Sequence, residues 1–434
     1  MALLAQSTEG VNKTTSGRTV QKPFDRLPFL QSFLKINDLK LMPLLSRIKL
    51  RNLLKINNLT TFFRMLITLL LLFIAAVLAI GSAISAPRYE GPVSDHFDGK
   101  QFFNPSGQQS KGFTDAMKWQ MGKREKMAWA AQSNFEFGEK PSPIIATKDT
   151  ARGPSVFDPS TNDFNDLRVT FIGHSTVLLQ FDGWNILTDP VWYERCSPVQ
   201  WAGPKRIQPA AIRLEDLPPI HLILQSHNHW DHLDIENLKK IYQKHRPQVL
   251  TSLGVSKFLK QHGIDNSVDL DWNDTFLAKK GQNTEGPSPE LTITCLPAQH
   301  FSGRGLLDRN ATLWSSFMVS SPTSGNIYFG GDSGYASFFK EIGDNFGTIR
   351  LALLPIGAFK PEWFMSPIHC SPAEAVEMHV DLKAEKSLAI HHGTFPLADD
   401  GQFEPVDDLK KALILRGLPD DDFFVLKEGH FRDL

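Results

Sequence analysis

The chain has 434 residues, enough for two or three domains, and 41% of them are hydrophobic while 21% are charged. These proportions are ordinary for a globular protein and exclude a wholly disordered one. Lys and Arg number 46 against 47 Asp and Glu, so the net charge of −1 offers no global positive field for nucleic acid. The three cysteines cannot form a disulfide framework.

A long apolar segment, Met65–Ile84, contains twenty consecutive residues without a charge. A helix of about 20 apolar residues crosses the roughly 30 Å hydrocarbon core of a bilayer. A cleaved signal peptide is the alternative, because small residues such as Ser85 and Ala86 follow the segment. However, 64 residues precede it, far more than the n-region of a signal peptide normally contains. We therefore expect an uncleaved transmembrane signal anchor over residues 65–84.

The charges around this segment predict its orientation. Residues 1–64 form a basic tail with a net charge of +8, which leaves −9 for the rest of the chain. Basic flanks of membrane helices stay in the cytoplasm. We therefore predict a single-pass membrane protein with a cytoplasmic N-terminus and a catalytic domain on the non-cytoplasmic side. The alternative is a disordered basic tail whose charge decides nothing about orientation.

The rest of the chain divides into an irregular extension, 85–165, and a folded domain, 166–434. The extension is rich in Pro, Gly, Ser and Asn and contains one predicted helix, Thr114–Trp129, which lies on the membrane surface or, as we favour, packs on the main domain. From Leu167 onward, short apolar runs with a period of two are followed by helical stretches. This order predicts an α/β or α+β domain with mixed sheets.

Local signals in the folded domain predict individual elements. Asp182-Gly183 predicts a hairpin turn between two strands. The run HLILQS predicts a buried strand, and ENLKKIYQKH predicts an amphipathic helix after it. A further helix, Pro372–Leu382, is predicted to begin with Ser371 as N-cap and Glu374 closing a capping box.

The segment His227–His232, with the sequence HNHWDH, directly follows the predicted HLILQS strand. Alternate residues of an extended segment face the same way, so His227 and His229 can converge on one ion. A turn after them lets Asp231 and His232 point at a second ion nearby. Imidazole and carboxylate groups in this density are typical ligands of zinc, iron or manganese. Packing alone hardly explains them, because buried ionisable groups need partners.

Three more candidate ligands follow strand-like runs elsewhere in the chain. His300 comes after LTITCLPAQ, Asp332 comes after NIYFGG, and His391 lies in SLAIHHGTF. Each has an ordinary explanation by itself, as a loop histidine, a turn aspartate or a core histidine. Their repeated position at strand ends favours a shared site, because functional residues gather in loops at one edge of a sheet scaffold.

These motifs together resemble the metallo-β-lactamase superfamily. Longer blocks resemble its N-acyl-phosphatidylethanolamine-hydrolysing phospholipase D branch, among them RVTFIGHSTVLL, TDPVW, GPKRI, FGGDSGY, LLPIGAFKPEWFM and AIHHGTFPLAD. The resemblance covers roughly residues 165–430 and leaves the anchor outside. It implies a four-layer αβ/βα sandwich, here preceded by a single transmembrane helix, with two metals, usually zinc, at the edge of the paired sheets.

The resemblance also implies a ligand set. Three imidazoles would hold the first metal: His227, His229 and His300. The second metal would be held by three other side chains: Asp231, His232 and His391. Asp332 would bridge both metals. His392 stands where relatives commonly have an aromatic residue, which leaves open whether His391 or His392 is the last ligand.

Further residues receive roles from the implied chemistry. Two close cations lower the pKa of bound water, and the resulting hydroxide attacks phosphorus while the cations neutralise charge on the phosphate oxygens. Asp231 would orient the hydroxide, and His369 would position phosphate or protonate the leaving group, unless it is an ordinary loop histidine. Asp189 would accept the second N–H of a ligand imidazole. His174 is either a similar supporting residue or a hydrogen-bonded core histidine.

The leading hypothesis is a membrane-anchored, zinc-dependent phosphodiesterase that acts on phospholipids such as N-acyl-phosphatidylethanolamine in the manner of a phospholipase D. Iron or manganese could replace the two zinc ions. The alternatives are a metal-dependent lactonase, another ester hydrolase or a nuclease, and a non-catalytic metal-binding protein. The charge of −9 after the anchor disfavours a nuclease and nucleic-acid partners, because it repels polyanions.

Overall fold

The structure is a computed structural model, and the residues it describes are 59–122, 124, 129, 167–280 and 288–434. The chain divides into two compact units, 1–74 and 75–434, with the boundary inside helix α1 (Leu59–Ile84). Within α1, Thr61–Ile84 is long and apolar enough to cross a membrane, two conditions that a signal sequence also meets. Of the predicted basic tail, residues 1–58 lie outside the described residues.

The first of two mixed sheets contains seven strands: β1 (Arg168–Gly173), β2 (Thr176–Phe181), β3 (Trp184–Thr188), β4 (Leu222–Gln225), β5 (Gln248–Ser252), β6 (Ser267–Leu270) and β14 (Phe431–Asp433). Their order across the sheet is β14-β1-β2-β3-β4-β5-β6. β2 is antiparallel to β1 and β3, whereas β3 to β6 are parallel. The carboxyl ends of β1, β3 and β4 therefore lie at the same edge of the sheet.

The second sheet also contains seven strands: β7 (Thr275–Ala278), β8 (Leu291–Leu296), β9 (Ser316–Ser321), β10 (Gly325–Phe329), β11 (Ile349–Pro355), β12 (Ala384–Ile390) and β13 (Phe423–Phe424). Their order is β13-β12-β11-β10-β9-β8-β7. β9 is antiparallel to β8 and β10, whereas β10 to β13 are parallel. The carboxyl ends of β8, β10 and β12 therefore also share one edge.

Helices cover the outer faces of both sheets. Besides α1, the described helices are α2 (Phe113–Met121), α3 (Ile235–His245), α4 (Val255–Gln261), α5 (Phe338–Phe346), α6 (Glu362–Met365), α7 (Pro372–Asp381) and α8 (Glu404–Arg416). One buried apolar cluster joins the facing surfaces of the two sheets. A second joins α3 and α4 to the first sheet, and a third joins α5, α7 and α8 to the second sheet. The order of layers is helix, sheet, sheet, helix, which is the sandwich that the resemblance implied.

Several local predictions are confirmed. Phe181 pairs with Trp184 across the Asp182-Gly183 turn, whose two residues both have positive φ, as a tight right-twisted hairpin requires. The apolar side of α3 is buried, and its charged side is not. At the start of α7, Ser371 accepts the Glu374 N–H and Glu374 accepts the Ser371 N–H, which completes the capping box.

The helix predicted over Thr114–Trp129 is too long. α2 ends at Met121, because Gly122 adopts an extended backbone, and residue 129 is not helical. The prediction that this helix packs on the main domain is confirmed. The ring of Trp119 lies 4.9 Å from that of Phe364 in α6, and the indole N–H donates to the Asp399 carboxylate at 2.7 Å.

Gly343 marks a close crossing between α5 and the end of α7. A Cβ at this position would lie 2.1 Å from the Asp381 carbonyl oxygen. In an open helix, Gly→Ala stabilises by about 1 kcal/mol. Here the backbone of α5 would have to move away, and such overpacking costs about 1–3 kcal/mol.

We therefore expect Gly343→Ala to lower the thermal unfolding temperature, measured by circular dichroism in detergent. Lys340→Ala, an exposed change on the same helix, serves as the control and should leave the temperature nearly unchanged. A Gly343→Ala protein that is more stable than the parent would show that the crossing is not rigid.

Candidate metal centre

Polar side chains cluster just beyond the carboxyl ends of six strands, three from each sheet. These residues are His174 after β1, Asp189 after β3, His227, His229, Asp231 and His232 after β4, His300 after β8, Asp332 after β10, and His391 after β12. The two sheets bring these ends to one place, because His232 of the first sheet lies 3.0 Å from Asp332 of the second. The fold therefore gathers side chains that are far apart in the sequence.

The first group consists of three imidazoles, His227, His229 and His300. Nδ1 of His229 lies 2.9 Å from Nε2 of His227 and 3.2 Å from Nε2 of His300. Three ring nitrogens at these separations point at one position and can hold one metal ion. The aromatic ring of Phe301 lies 4.4 Å from that of His229 and covers this group on one side.

The second group consists of Asp231, His232 and His391. Oδ2 of Asp231 lies 3.4 Å from Nε2 of His232 and 3.3 Å from Nε2 of His391. His174 joins them, with its Nε2 3.1 Å from the same carboxylate oxygen. These four residues offer one ligand atom each within 4.8 Å of one another, so this group can hold a second ion.

Asp332 lies between the two groups. Its Oδ2 is 3.0 Å from His232 and 3.1 Å from His391 in the second group, and 3.7 Å from His300 in the first. Gly331 allows this approach, because it has a positive φ and a Cβ there would lie 2.7 Å from the Ser226 Cβ. Asp332 is the carboxylate that faces both groups.

The structure places His391, and not His392, in this cluster. β12 ends at Ile390, and His391 has a φ of +59°, so its side chain departs from the alternation of the strand. His391 is buried beside the carboxylates. The ring of His392 instead lies parallel to that of Phe171 at 5.7 Å.

Asp189 holds the orientation of two imidazoles. Its Oδ2 accepts the Nδ1–H of His232 at 2.6 Å and the hydroxyl of Ser226 at 2.5 Å. Because that hydroxyl proton is engaged, the Ser226 oxygen accepts the Nδ1–H of His227 at 2.8 Å. The Ile368 carbonyl accepts the Nδ1–H of His300 in the same manner, at 2.7 Å. In each case Nε2 is left facing the cluster, as metal ligation requires.

His174 and His369 stand on different sides of the two groups. The ring of His174 lies 4.2 Å from that of His391, and Phe395 packs against its other side. The ring of His369 lies 5.1 Å from that of His300 and 5.2 Å from that of His391, so it faces both groups. Among the described residues, Nδ1 of His369 is buried without a hydrogen-bond partner.

The charges in the cluster suit bound cations. Burial lowers the pKa of His229 and His300 to about 3, which keeps both imidazoles in the neutral form that binds metals. Burial also opposes the charged form of His391, but Asp332 and Asp231 raise its pKa to about 9. A proton on His391 can thus balance the buried Asp332 and the largely buried Asp231, which a cation would otherwise neutralise. Within the described part of the chain, Oδ1 of Asp332 is buried without a hydrogen-bond donor, which leaves it free to bind a cation.

Sequence reasoning missed two supporting residues. Ser226 directly precedes the HNHWDH motif, and this position was its only signal. Arg304 had none, yet its Nη1 donates to the carbonyls of Asn228 and Leu233, both at 2.8 Å. The Asn228 carbonyl lies within the His227–His232 segment and the Leu233 carbonyl directly follows it, so Arg304 fixes the backbone that carries four candidate ligands.

Comparison with known proteins identifies the family. The Beta-lactamase superfamily domain matches residues 184–392. N-acyl-phosphatidylethanolamine-hydrolyzing phospholipase D 1 of Caenorhabditis elegans is 39% identical over 287 residues, which cover 63% of this chain and 78% of that protein. The mitochondrial N-acyl-phosphatidylethanolamine-hydrolyzing phospholipase D of Saccharomyces cerevisiae is 35% identical over 58% of this chain and 53% of its own length.

An uncharacterized protein of Mycobacterium tuberculosis is 42% identical over 255 residues, and the match spans 58% of this chain and 65% of that protein. The matched region of the C. elegans relative covers more than two thirds of its length at 39% identity. The chain therefore belongs to the metallo-β-lactamase superfamily, and its relatives include the N-acyl-phosphatidylethanolamine-hydrolysing phospholipases D.

Proposed function

We propose that the protein is a dinuclear metal-dependent phosphodiesterase that hydrolyses phospholipids of the N-acyl-phosphatidylethanolamine type on the headgroup side. The observation that supports two metals is the position of Asp332, whose Oδ2 lies within 4 Å of imidazole nitrogens from both groups. The names of the C. elegans and yeast relatives support the substrate class.

Seven side chains would hold the two metals. His227, His229 and His300 would hold the first, and Asp231, His232 and His391 the second, with Asp332 shared. Zinc suits this set of imidazoles and carboxylates, and so do iron and manganese. When bound, a pair of such cations lowers the pKa of a water molecule and neutralises charge on phosphate oxygens.

The chain's own residues would then orient the reactants. Asp231 has a carboxylate at the edge of the second group and can accept the proton of a nucleophilic water. His369 faces both groups, so its ring N–H can bind a phosphate oxygen and fix the phosphodiester between them. Asp189 would act indirectly, because it orients the ring of the candidate ligand His232 through the 2.6 Å hydrogen bond. His174 would orient the Asp231 carboxylate in a similar way, because its Nε2 lies 3.1 Å from Oδ2 of Asp231.

Apolar clusters on two sides of the site support a lipid substrate. One contains Val191, Cys196 and Phe395, with Tyr193, Trp230 and Leu397 packed against them. The other contains Phe364, Met365 and Ile368, with Ala116, Trp119, Phe301 and Ala398 packed against them. The cores of both clusters are buried, but Trp230 and Phe301, which pack on them, are partly exposed beside the candidate ligands. Acyl chains gain free energy from contact with such side chains, whereas a small polar substrate gains none.

The apolar helix supports a membrane location. We propose that Thr61–Ile84 is a single-pass anchor with its basic N-terminal flank in the cytoplasm and the catalytic domain on the other side. A phospholipid substrate then diffuses in the plane to which the enzyme is tethered.

The substrate assignment is tested with a lipid panel. Purified full-length protein, loaded with zinc, should release phosphatidic acid from N-acyl-phosphatidylethanolamine in mixed micelles, measured by mass spectrometry. A soluble lactone and a chromogenic phosphodiester serve as controls for other hydrolase chemistries. Rapid lactone opening without any phospholipid cleavage would contradict the proposal and favour a lactonase.

Asp332→Ala removes the carboxylate that both groups share. We expect purified wild-type protein to carry about two metal ions per chain on elemental analysis. The variant should lose most of both ions together with the hydrolytic activity. Asp265→Ala, an exposed carboxylate away from the site, is the control. Normal metal content in the Asp332 variant would argue against a bridging ligand.

His391 and His392 provide a matched pair of variants. Because His391 faces the carboxylates, His391→Ala should lose the ion of the second group and most of the activity. His392→Ala removes a ring that packs on Phe171 and should retain both ions. Elemental analysis of the two proteins side by side decides between them. The reverse pattern would make His392 the ligand.

A further inference from the structure

The C-terminal turns of α1 pack against the loop 303–308, which lies beside the candidate metal centre. Gly81 is the one buried residue among the described side-chain positions 61–84 of that helix. A Cβ on Gly81 would lie 3.0 Å from Cδ1 of Leu306, and a Cβ on Gly305 would lie 2.5 Å from the Gly81 carbonyl oxygen. Two glycines therefore let the helix and the loop 303–308 approach with their backbones in direct contact.

Hydrogen bonds stabilise this contact between the end of α1 and the loop 303–308. The carboxylate of Asp308, itself only 1% exposed, accepts the Ala86 N–H at 2.7 Å. It also accepts the N–H groups of Arg304 and Gly305, which fold the loop into a compact turn. Just past the helix, the Arg88 guanidinium donates to the Leu307 carbonyl at 3.1 Å. Two hydrogen bonds, one from Ala86 and one from Arg88, thus join the chain after α1 to this loop.

The same loop is joined to the candidate ligands. It follows His300 by three residues. The Gly303 N–H donates to Oδ1 of Asn228 at 2.9 Å, and the Trp230 indole N–H donates to the Arg304 carbonyl at 2.9 Å. Asn228 and Trp230 both lie within the HNHWDH segment. A continuous series of short contacts therefore connects the end of α1 to the metal centre without a flexible linker.

The tip of the loop is apolar and exposed. Leu306 is 61% exposed and Leu307 is 50% exposed, whereas Arg304 and Asp308 of the same loop are buried. They continue the exposed apolar surface of the last turns of α1, where Ile80 is 60% exposed. A cation lies directly beside them, because the exposed Arg88 guanidinium donates to the Leu307 carbonyl and to the Lys100 carbonyl. Exposed leucines next to a basic residue suit a surface that enters the boundary between lipid headgroups and acyl chains.

We propose that Leu306 and Leu307 insert into the phospholipid bilayer and that the loop 303–308 holds the mouth of the metal centre at the membrane surface. The inference rests on the proposed anchor, because the continuity of the loop with α1 selects lipid as the occupant. Arg88 would contact headgroup phosphates, and the two leucines would contact acyl chains. A lipid could then reach the metals without leaving the bilayer completely.

Depth-dependent fluorescence quenching tests the insertion. The full-length protein carries Leu307→Cys labelled with an environment-sensitive fluorophore and is reconstituted in phosphatidylcholine vesicles that contain doxyl-labelled phosphatidylcholine. The native cysteines Cys196, Cys295 and Cys370 are buried, so the engineered thiol reacts selectively. Leu415→Cys is the matched control, because Leu415 is a leucine of α8 with 88% exposure.

We expect several-fold stronger quenching at position 307 than at position 415, with a blue-shifted emission at 307 only. Equal, weak quenching at the two positions would overturn the insertion. A blue shift at 307 without quenching would also overturn it, since a second copy of the chain or another protein would then cover the loop.

Extraction of the same vesicles with alkaline carbonate separates the two proposals. Release of the protein contradicts the anchor, whereas retention with an unquenched 307 label contradicts only the inserted loop.

A pair of double variants adds a functional measurement. Leu306→Ser with Leu307→Ser should reduce hydrolysis of phospholipid in vesicles several-fold while leaving metal content and hydrolysis of a soluble chromogenic phosphodiester unchanged. Ile414→Ser with Leu415→Ser removes a still more exposed apolar pair from α8 and should leave both activities unchanged. Equal vesicle activity in the two double variants would count against the proposal.

Discussion

Two carboxylates at the junction of the two sheets, the buried Asp332 and the largely buried Asp231, constrain the whole domain. Asp231 and Asp332 are surrounded by imidazoles, and a buried charge is tolerated only where opposite charges compensate it. Burial opposes the charged forms of His232 and His391, but the two carboxylates raise the pKa of both imidazoles, so that their protons can supply that compensation. The surrounding hydrogen bonds through Asp189, Ser226 and the Ile368 carbonyl hold the rings in place whether or not a cation is bound. The sandwich thus surrounds a site in which the negative charges of Asp231 and Asp332 require compensation by protonated imidazoles or bound cations.

Because of this constraint, the residues that follow the strand ends, and not those within the strands, form the site. Each sheet supplies part of the cluster, and neither the imidazoles of the first sheet nor the carboxylate after β10 could hold two ions alone. Two apolar clusters, with the partly exposed Trp230 and Phe301 packed on them, adjoin this polar centre. A polar reaction centre with apolar surroundings is the arrangement expected for an enzyme that acts on the headgroup linkage of a lipid.

Sequence reasoning succeeded where the signal was local. The Asp182-Gly183 turn, the capping box at Ser371 and the amphipathic α3 depend on residues a few positions apart, and all three are confirmed. The predicted helix 114–129 was too long because one residue, Gly122, ends it. The choice between His391 and His392 stayed open because strand alternation does not say where a strand stops. β12 ends at Ile390, and the left-handed backbone of His391 turns its ring into the cluster.

The sequence by itself determined that the chain carries a dense set of imidazole and carboxylate candidate ligands, an apolar segment long enough for a bilayer, and the period-two pattern of a sheet-rich domain. These properties are carried by composition, spacing and periodicity, which need no folded structure. Only the tertiary structure decided that Asp332 faces both groups, that Arg304 braces the ligand segment, and that Asp308 receives the Ala86 N–H across 222 residues of chain. Such contacts join residues distant in sequence, and their geometry depends on how the two sheets pack and on close approaches at single glycines.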